Sequence, residues 1–191
     1  MKSLKGSKTE KNILTAFVGE SQARNKYTFW AGAARKEGYI QAADIFEETA
    51  NQEKEHAKRF FKFLEGGEAE VSASFPAGSI GDALANLTAA AAGEHEEHAS
   101  LYPEFAKTAR GEGYEEVALV FEAISKAEAW HEKRFADLAA NIKAGVVFRR
   151  KAPVAWRCLN CGYIHEGTDA PESCPACLHP QAYFELRGQN W

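Results

Sequence analysis

The chain has 191 residues, enough for one domain of ordinary size with a small appended module. Its hydrophobic fraction of 45% and charged fraction of 26% are typical of a soluble globular protein, and a net charge of −4 gives no electrostatic footprint for nucleic acid or anionic membranes. Near the N-terminus, the apolar run ILTAFV is too short for a signal segment or a membrane span, so we expect a cytoplasmic protein.

Glycine-rich breaks divide the first 145 residues into four predicted helices. The first begins near Ser7, which has capping-box spacing to Glu10, and ends near Gly38. Short breaks make the first two and the last two helices antiparallel neighbours, while the long, non-periodic segment 66–80 can cross the bundle. The prediction is an all-α four-helix bundle with one long crossover. The other three predicted helices span about residues 39–65, 80–113 and 114–144.

One motif, Glu-x-x-His-x-Lys-Arg-Phe, occurs twice, as EKEHAKRF at residues 53–60 and as EAWHEKRF at residues 128–135. A Gly-Tyr pair stands 15 residues before each copy, which indicates two half-bundles repeated at an offset of 75 residues. The Gly-Glu pairs of the first and third helices are offset by only 74, so the third helix holds one extra residue between Glu94 and Gly113. We expect this insertion to form a π-bulge, a distortion often found at functional sites.

Each copy of the motif aims a glutamate and a histidine at the expected core, because residues three apart share one face of a helix. The first and third helices each add a glutamate on an apolar stretch, and buried carboxylates are costly unless they are paired or bind metal. Such a set is typical of ferritin-like di-iron and di-manganese bundles, and mixed carboxylate and imidazole ligands suit iron or manganese better than zinc or calcium. The six candidate ligands are Glu20, Glu53, His56, Glu94, Glu128 and His131.

Three further side chains are candidates near this set. Glu97 lies one turn after Glu94 on the same face, and its counterpart in the first helix is Ala23, so we interpret it as an extra, asymmetric ligand. Tyr27 and Tyr102 follow the glutamates of the first and third helices by about two turns. Their hydroxyls either hydrogen-bond the ligand carboxylates or simply accompany rings that pack in the core.

Acids and histidines outside the repeat have a plainer interpretation. A single Glu-x-x-His motif on a charged helix is usually a solvated face, and only its duplication in register favours a metal site. We therefore interpret seven further glutamates as solvated and two histidines, His95 and His98, as surface residues. The glutamates are Glu47, Glu48, Glu55, Glu96, Glu115, Glu116 and Glu132.

The cysteines lie in residues 153–191, which we expect to form a separate domain after a linker at 146–152. This distribution excludes a disulfide scaffold for the whole chain, and two Cys-x-x-Cys knuckles indicate a tetrahedral thiolate site. A segment of 39 residues is too short to be stable on core burial alone, so a metal must hold it together. The spacing suits a structural zinc ribbon and a redox-active iron equally. The four cysteines are Cys158, Cys161, Cys174 and Cys177.

The stretches CGYIHEG and CPAC resemble rubredoxin knuckles, with 12 residues between the cysteine pairs. Together with the bundle motifs, they make the whole chain similar to rubrerythrins, in which a ferritin-like domain (here 1–145) precedes a rubredoxin-like domain (here 153–191). The resemblance implies a non-haem di-iron peroxidase of anaerobic or microaerophilic cells, which reduces hydrogen peroxide to water and protects against oxidative stress. It also implies two irons in the bundle, one iron on the four cysteines, and electrons that come ultimately from NAD(P)H through a separate reductase or rubredoxin.

The same resemblance implies roles for the site residues. On reduction, the iron beside Glu20 is expected to exchange Glu97 for His56, because two ferrous ions balance fewer carboxylate charges than two ferric ions. No Rossmann glycine fingerprint is present, so nicotinamide is not expected to bind this chain. A homodimer is expected, in which the four-cysteine site of one chain serves the di-iron site of the other. The implied ligands are Glu53 and Glu128 as bridges, Glu20 and Glu97 on one iron, and Glu94 and His131 on the other.

Two other classes of protein share part of the pattern. A ferroxidase or iron-storage protein would use the same bundle but needs no rubredoxin-like module. A metal-stabilised interaction protein with a zinc ribbon would not need the buried ligand set. About three irons per chain, with thiolate-to-iron charge-transfer absorption, would separate the peroxidase interpretation from both.

Overall fold

The computed structural model describes residues 2–189, so the predicted ends of the two domains at residues 1 and 191 lie outside the described residues. A π-helical segment, Glu97–Leu101, joins α3 (Ala83–Glu96) to α4 (Tyr102–Gly111), and together they form one continuous third helix. The predicted bundle of four long helices is therefore confirmed. Between residues 2 and 189, none of the helices combines the length and the apolar content that a membrane crossing requires. The helices are α1 (Lys8–Lys36), α2 (Ile40–Phe61), α3 (Ala83–Glu96), α4 (Tyr102–Gly111) and α5 (Glu115–Lys143).

Side chains cap the starts of the first and third helices. The cap of the first helix at Ser7 is the predicted one, whereas the third helix begins at Ala83, about three residues later than predicted, with Asp82 as its cap. The Ser7 hydroxyl accepts a hydrogen bond from the Glu10 N–H at 2.9 Å, and the Glu10 carboxylate accepts one from the Gly6 N–H at 2.7 Å. At the start of α3, the Asp82 carboxylate accepts from the Ala85 N–H at 2.8 Å. These bonds satisfy amide groups that have no partner within the helix, and such a cap is worth about 1 kcal/mol.

The same turn closes both helical hairpins. Gly38 and Gly113, at φ of +84° and +82°, follow the last turns of α1 and α4. After each glycine, the tyrosine N–H donates to the carbonyl five residues back, at 2.9 Å for Tyr39 and 2.8 Å for Tyr114. A side chain at such a φ would cost about 1–2 kcal/mol, which explains the glycine in both turns. The predicted internal repeat is therefore present in the backbone as well as in the sequence.

The crossover between the hairpins follows the outside of the bundle. Residues 66–80 contain no helix or strand, and the indole N–H of Trp30 donates to the Ser79 carbonyl at 2.9 Å near their end. Helix α1 packs mainly on α2, and α5 packs on α3 and α4. The predicted arrangement of two antiparallel hairpins joined by one long connection is confirmed.

Two aromatic clusters fill the bundle, one toward each end. Phe60 packs against Phe121 with a ring-centroid distance of 4.9 Å, and Phe46 packs against Phe135 at 5.0 Å, with the rings of both pairs tilted by 33°. The members of the two pairs are related by the 75-residue repeat. All four rings are fully buried, and each contributes about 1.5–3 kcal/mol of hydrophobic stabilisation. The middle of the bundle, between the two clusters, holds the predicted ligands.

The C-terminal domain is a small antiparallel sheet of three strands, in which the first strand lies between the other two. Trp156 and Phe184 form its core together with two of the cysteines. The first strand begins at Arg149, inside the stretch 146–152 that the sequence suggests as a linker, and the exact domain boundary stays a prediction. The strands are β1 (Arg149–Cys158), β2 (Ile164–Asp169) and β3 (Phe184–Leu186), with a 3-10 turn at Gln181–Tyr183.

Candidate metal centres

Six of the predicted ligand residues meet in the middle of the bundle, from all four long helices. They form two overlapping groups of four, and within each group the candidate ligand atoms lie within 4.8 Å of one another. Glu53 and Glu128 belong to both groups. The carboxylates are at most 1% exposed and His131 is 3% exposed, whereas the side chain of His56 is 17% exposed. The first group is Glu20, Glu53, His56 and Glu128, and the second is Glu53, Glu94, Glu128 and His131.

The two shared carboxylates contact both histidines in a nearly symmetric way. The Nδ1 atom of His56 lies 2.9 Å from Glu128 Oε1 and 3.1 Å from Glu53 Oε2. The Nδ1 atom of His131 lies 2.7 Å from Glu128 Oε2 and 3.0 Å from Glu53 Oε1. Each carboxylate therefore turns one oxygen toward each histidine, an arrangement in which a carboxylate can span two metal positions.

The outer carboxylates are oriented by tyrosines from the opposite hairpin. The Tyr27 hydroxyl donates to Glu94 Oε1, and the Tyr102 hydroxyl donates to Glu20 Oε1. In both glutamates the other oxygen, Oε2, faces a histidine Nδ1 at 3.8 Å. Both tyrosine rings are also buried in the aromatic clusters, so the tyrosines bond to carboxylates and pack in the core at once.

Most buried polar atoms without a hydrogen-bond partner belong to this cluster. In the described part of the chain there are seven such side-chain atoms, and six of them are carboxylate oxygens or an imidazole nitrogen of the two groups. The His131 Nδ1 atom lies within 3.0 Å of two of these oxygens, yet no hydrogen bond joins them. Unpaired buried acceptors cost about 1–3 kcal/mol each, so converging oxygens and nitrogens of this kind fit bound metal ions. The donor set suits iron or manganese.

The pKa values show how the cluster balances its charge with protons. Burial raises the pKa of Glu94 to about 8, with Glu53 adding to the effect, and burial raises the pKa of Glu20 well above its usual value. Burial opposes the charge of the histidines, but the carboxylates around them outweigh it and raise the pKa of His56 to about 9 and of His131 to about 12. Metal binding must therefore displace protons from several of these groups.

Glu97 lies beside the two groups, outside both of them. It is the first residue of the π-helical segment, so the extra residue predicted in the third helix is confirmed at this place. A methyl group added to Gly19 would lie 3.8 Å from Glu97 Oε1, which places this carboxylate next to the backbone just before Glu20. Burial raises the pKa of Glu97 well above its usual value, and the charge of Glu94 adds to that rise. In this structure His56, rather than Glu97, faces Glu20 within the first group.

Gln52 is a site residue that the sequence analysis did not identify. Its Oε1 lies 2.9 Å from Nε2 of His131, so the Nε2–H donates to it and Nδ1 faces the cluster. The repeat places Ala127 at the equivalent position in the other half, where it cannot orient His56 in the same way. Comparison of the two repeats at this position could have revealed the asymmetry.

The four cysteines form a second candidate centre in the small domain. The sulfur atoms of Cys158 and Cys177 are 3.8 Å apart, and those of Cys161 and Cys174 are 3.6 Å apart. Tetrahedral metal–sulfur bonds of about 2.3 Å give sulfur separations close to these values. A hydrogen bond from the His179 backbone N–H lowers the pKa of Cys177 to about 6, which favours the thiolate that a metal requires.

A ferritin-like bundle with a buried carboxylate–histidine cluster, followed by a four-cysteine domain, defines the class of proteins that join a di-iron centre to a rubredoxin-type iron. The family model for rubrerythrin matches residues 11–139, and the model for the rubrerythrin rubredoxin-like domain matches residues 156–185. The chain belongs to the rubrerythrin family. Its cofactors are accordingly two irons in the bundle and one iron at the clustered cysteines.

Individual relatives match this chain over nearly its whole length. The rubrerythrin of Nitratidesulfovibrio vulgaris is 65% identical over 191 residues, with 100% of both chains covered. The rubrerythrin of Porphyromonas gingivalis is 60% identical over 190 residues, which cover 100% of this chain and 95% of the relative. Among solved structures, mixed-valence nigerythrin matches with a TM-score of 0.64 and 32% identity, over 96% of this chain and 90% of nigerythrin.

The raised histidine pKa values predict that ferrous iron binds the bundle more tightly as the pH rises from 6 to 8. The protonated form of His56 dominates below its pKa of about 9, so each proton that iron displaces should strengthen binding roughly tenfold per pH unit. Anaerobic titration of protein with an iron-loaded cysteine site and a metal-free bundle, with an indicator dye for released protons, checks this. Glu20→Gln, which has no titrating proton, should release one proton fewer. Iron affinity that does not change with pH would contradict the prediction.

Proposed function

We propose that this protein is a non-haem di-iron peroxidase that reduces hydrogen peroxide to water. The observation that carries the proposal is the presence, in one chain, of a buried dinuclear ligand cluster and a four-cysteine site. Cleavage of the O–O bond consumes two electrons and two protons and yields two water molecules, and a pair of ferrous ions in the bundle would supply both electrons at once. The single iron at the cysteines suits one-electron delivery, which restores the reduced centre.

Within this proposal, Glu53 and Glu128 would each hold both metals. The support for this role is the contact of each carboxylate with both histidines, at 2.7–3.1 Å. Glu94 and His131 would hold one metal only, and the hydrogen bond between Gln52 and His131 keeps that imidazole in place.

The tyrosines act as fixed hydrogen-bond donors to the outer carboxylates. Burial raises the pKa of Tyr27 and of Tyr102 well above the usual value, and the nearby glutamates add to that rise, so both hydroxyls keep their protons at neutral pH. Glu94 and Glu20 accept these hydrogen bonds, and each is thereby held with its second oxygen toward the cluster. Peroxide reaches the cluster most easily beside His56, the cluster member with the most exposed side chain.

Glu97 and His56 are, in our proposal, alternative ligands of the metal beside Glu20. Five carboxylates suit the six positive charges of a ferric pair, and replacement of one by a neutral imidazole suits the four charges of a ferrous pair. Glu97 belongs to the π-helical segment, and His56 has no counterpart of Gln52 to hold it. Both side chains can therefore change position more readily than His131, which Gln52 holds on the other side of the cluster.

Crystal structures of the iron-loaded protein before and after dithionite treatment test this exchange. We expect Glu97 on the metal beside Glu20 in the oxidised crystals and His56 in the reduced ones. In crystals of Glu97→Gln, the ligands of the reduced state should be unchanged, whereas the oxidised state should lack the carboxylate of residue 97. The same ligands in both states would show that one of these residues has the wrong role.

Removal of a bridging carboxylate should abolish peroxide turnover. Changes next to metal ligands commonly cost 10–100-fold, so Glu53→Ala should lower peroxidase activity by roughly a hundredfold or more. The visible spectrum of the cysteine-bound iron should persist, because that domain folds around its own metal. Glu55→Ala is the matched control, since Glu55 lies on the same helix, is 56% exposed and pairs with Lys58. Activity retained in Glu53→Ala would count against the proposed site.

The electrons would come ultimately from NAD(P)H through a separate reductase or rubredoxin. Cys161 is exposed and Cys177 is half-buried, so one edge of the four-cysteine site is open to a redox partner. The other two cysteines are buried. We propose that external electrons arrive at this edge and continue to the bundle, as oxidative-stress protection in anaerobic or microaerophilic cells would require.

We also propose a homodimer in which the four-cysteine site of one chain reduces the di-iron site of its partner. The small domain follows α5, whose end at Lys143 lies 12 residues beyond His131, so a chain's own centre is about 18 Å away along the helix axis. A second chain can bring a four-cysteine site closer to the middle of the bundle.

Mixing two inactive chains tests this arrangement. One lacks residues 153–191, and the other carries Glu128→Ala. Mixed dimers should recover peroxidase activity, because each supplies the site that the other lacks. Glu128→Ala mixed with itself serves as the control. Mixed dimers that form, as shown by mass, but stay inactive would exclude transfer between chains.

A further inference from the structure

The structure brings together three side chains that the sequence pattern assigns to solvent. His95 and His98 lie at the junction of α3 with the π-helical segment, and Glu132 lies on α5. Their candidate ligand atoms are within 4.8 Å of one another. No member of this trio belongs to either group of the di-iron centre.

The distances within the trio suit side chains that bind one metal ion. The Nδ1 atom of His95 lies 3.2 Å from Glu132 Oε1, and Nε2 of His98 contacts Glu132 Oε2. The two imidazole rings meet edge to face, with centroids 5.2 Å apart. Ligand atoms bound to one metal at about 2.0–2.2 Å lie roughly 3 Å apart, so only small side-chain shifts separate this arrangement from coordination.

The backbone that carries the trio is anchored. The Ser125 hydroxyl of α5 donates to the His98 carbonyl at 3.0 Å, within the π-helical segment where the regular bonding pattern is interrupted. Among residues 2–189, the ion pairs of Glu132 are with the two histidines alone, with no lysine or arginine. No described lysine or arginine within ion-pair distance thus offsets the charge of Glu132, and a metal ion would do so.

Exposure distinguishes this trio from the buried centre. The side chains of His95, His98 and Glu132 are 60%, 21% and 30% exposed, so an ion can reach them from solvent and keep water ligands. Two imidazoles and one carboxylate are a ligand set that zinc, cobalt, copper and ferrous iron accept, whereas magnesium and calcium prefer oxygen ligands alone.

We propose that His95, His98 and Glu132 form a third metal site, which binds one divalent first-row transition ion with its remaining positions open to water. Each of the three residues directly follows, in sequence, a residue predicted to bind metal in the bundle: Glu94, Glu97 or His131. An ion at this site would clamp the π-helical segment to α5. The proposal does not depend on peroxidase activity, because it concerns binding at a separate set of side chains.

Zinc titration of the untagged, oxidised, iron-loaded protein tests the site. Calorimetry should detect one zinc ion per chain while the iron content stays constant. His98→Gln and Glu132→Gln should each weaken zinc binding by roughly tenfold or more, equivalent to about 1.4 kcal/mol. Glu96→Gln is the matched control, because Glu96 is an exposed acid between the two histidines and outside the trio, and it should bind zinc like the parent protein.

A second measurement, made on the parent protein, tests the site even if the variants fold poorly. Crystals of the parent protein soaked in zinc should show anomalous scattering at the zinc edge between the three side chains. The proposal is overturned if no additional zinc binds, if zinc enters only as iron leaves, if neither variant weakens binding, or if the anomalous peak lies elsewhere.

Discussion

The burial of four carboxylates in an apolar helical bundle is the constraint on which the rest of this structure depends. Glu20, Glu53, Glu94 and Glu128 are at most 1% exposed, and taking one carboxylate out of water costs several kcal/mol even after the protein relaxes. A domain has only about 5–15 kcal/mol of net stability, so these charges must be neutralised. Protons on the outer glutamates and the imidazoles do so in part, and a pair of metal ions replaces them. The two aromatic clusters supply the hydrophobic burial that offsets the remaining cost.

The internal repeat gives the centre its symmetry, and a few residues break it. The two Glu-x-x-His motifs place matching side chains around one axis, with nearly equal contact distances on the two sides. Gln52 holds His131, whereas Ala127 stands at the equivalent place near His56. Glu97 likewise has only Ala23 as its counterpart. Both differences concern the side of the centre that holds Glu20 and His56, so the two halves of the cluster differ in the hydrogen bonds that hold their histidines.

Much of this could be predicted from local patterns. Helical periodicity and the glycine breaks predict the four helices. The duplicated motif predicts four of the six clustered residues, and the Gly-Glu pairs of the other two helices predict the remaining two. Counting residues between repeats predicts the π-helical segment. The role of Gln52 could not be predicted from local patterns. Its hydrogen bond to His131 joins α2 to α5 and depends on how these two helices face each other. The same holds for the contact of Glu132 with His98, which joins α5 to the π-helical segment. The start of β1 at Arg149 depends on pairing with Asp169, 20 residues later.

The hydrogen bonds of Tyr27 and Tyr102 give the bundle the character of a self-complementary pair. Each hydroxyl bonds a glutamate of the other hairpin, so one hairpin alone would leave a buried donor and a buried acceptor unsatisfied, at about 1–3 kcal/mol each. Two copies of a single hairpin around a two-fold axis would satisfy all of them, as in an isologous dimer. The crossover 66–80 makes that association intramolecular, and it also allows the two halves to carry different residues. A symmetric pair of identical hairpins could not place Gln52 beside one histidine and alanine beside the other. The covalent connection is therefore what permits a two-metal site with unequal halves.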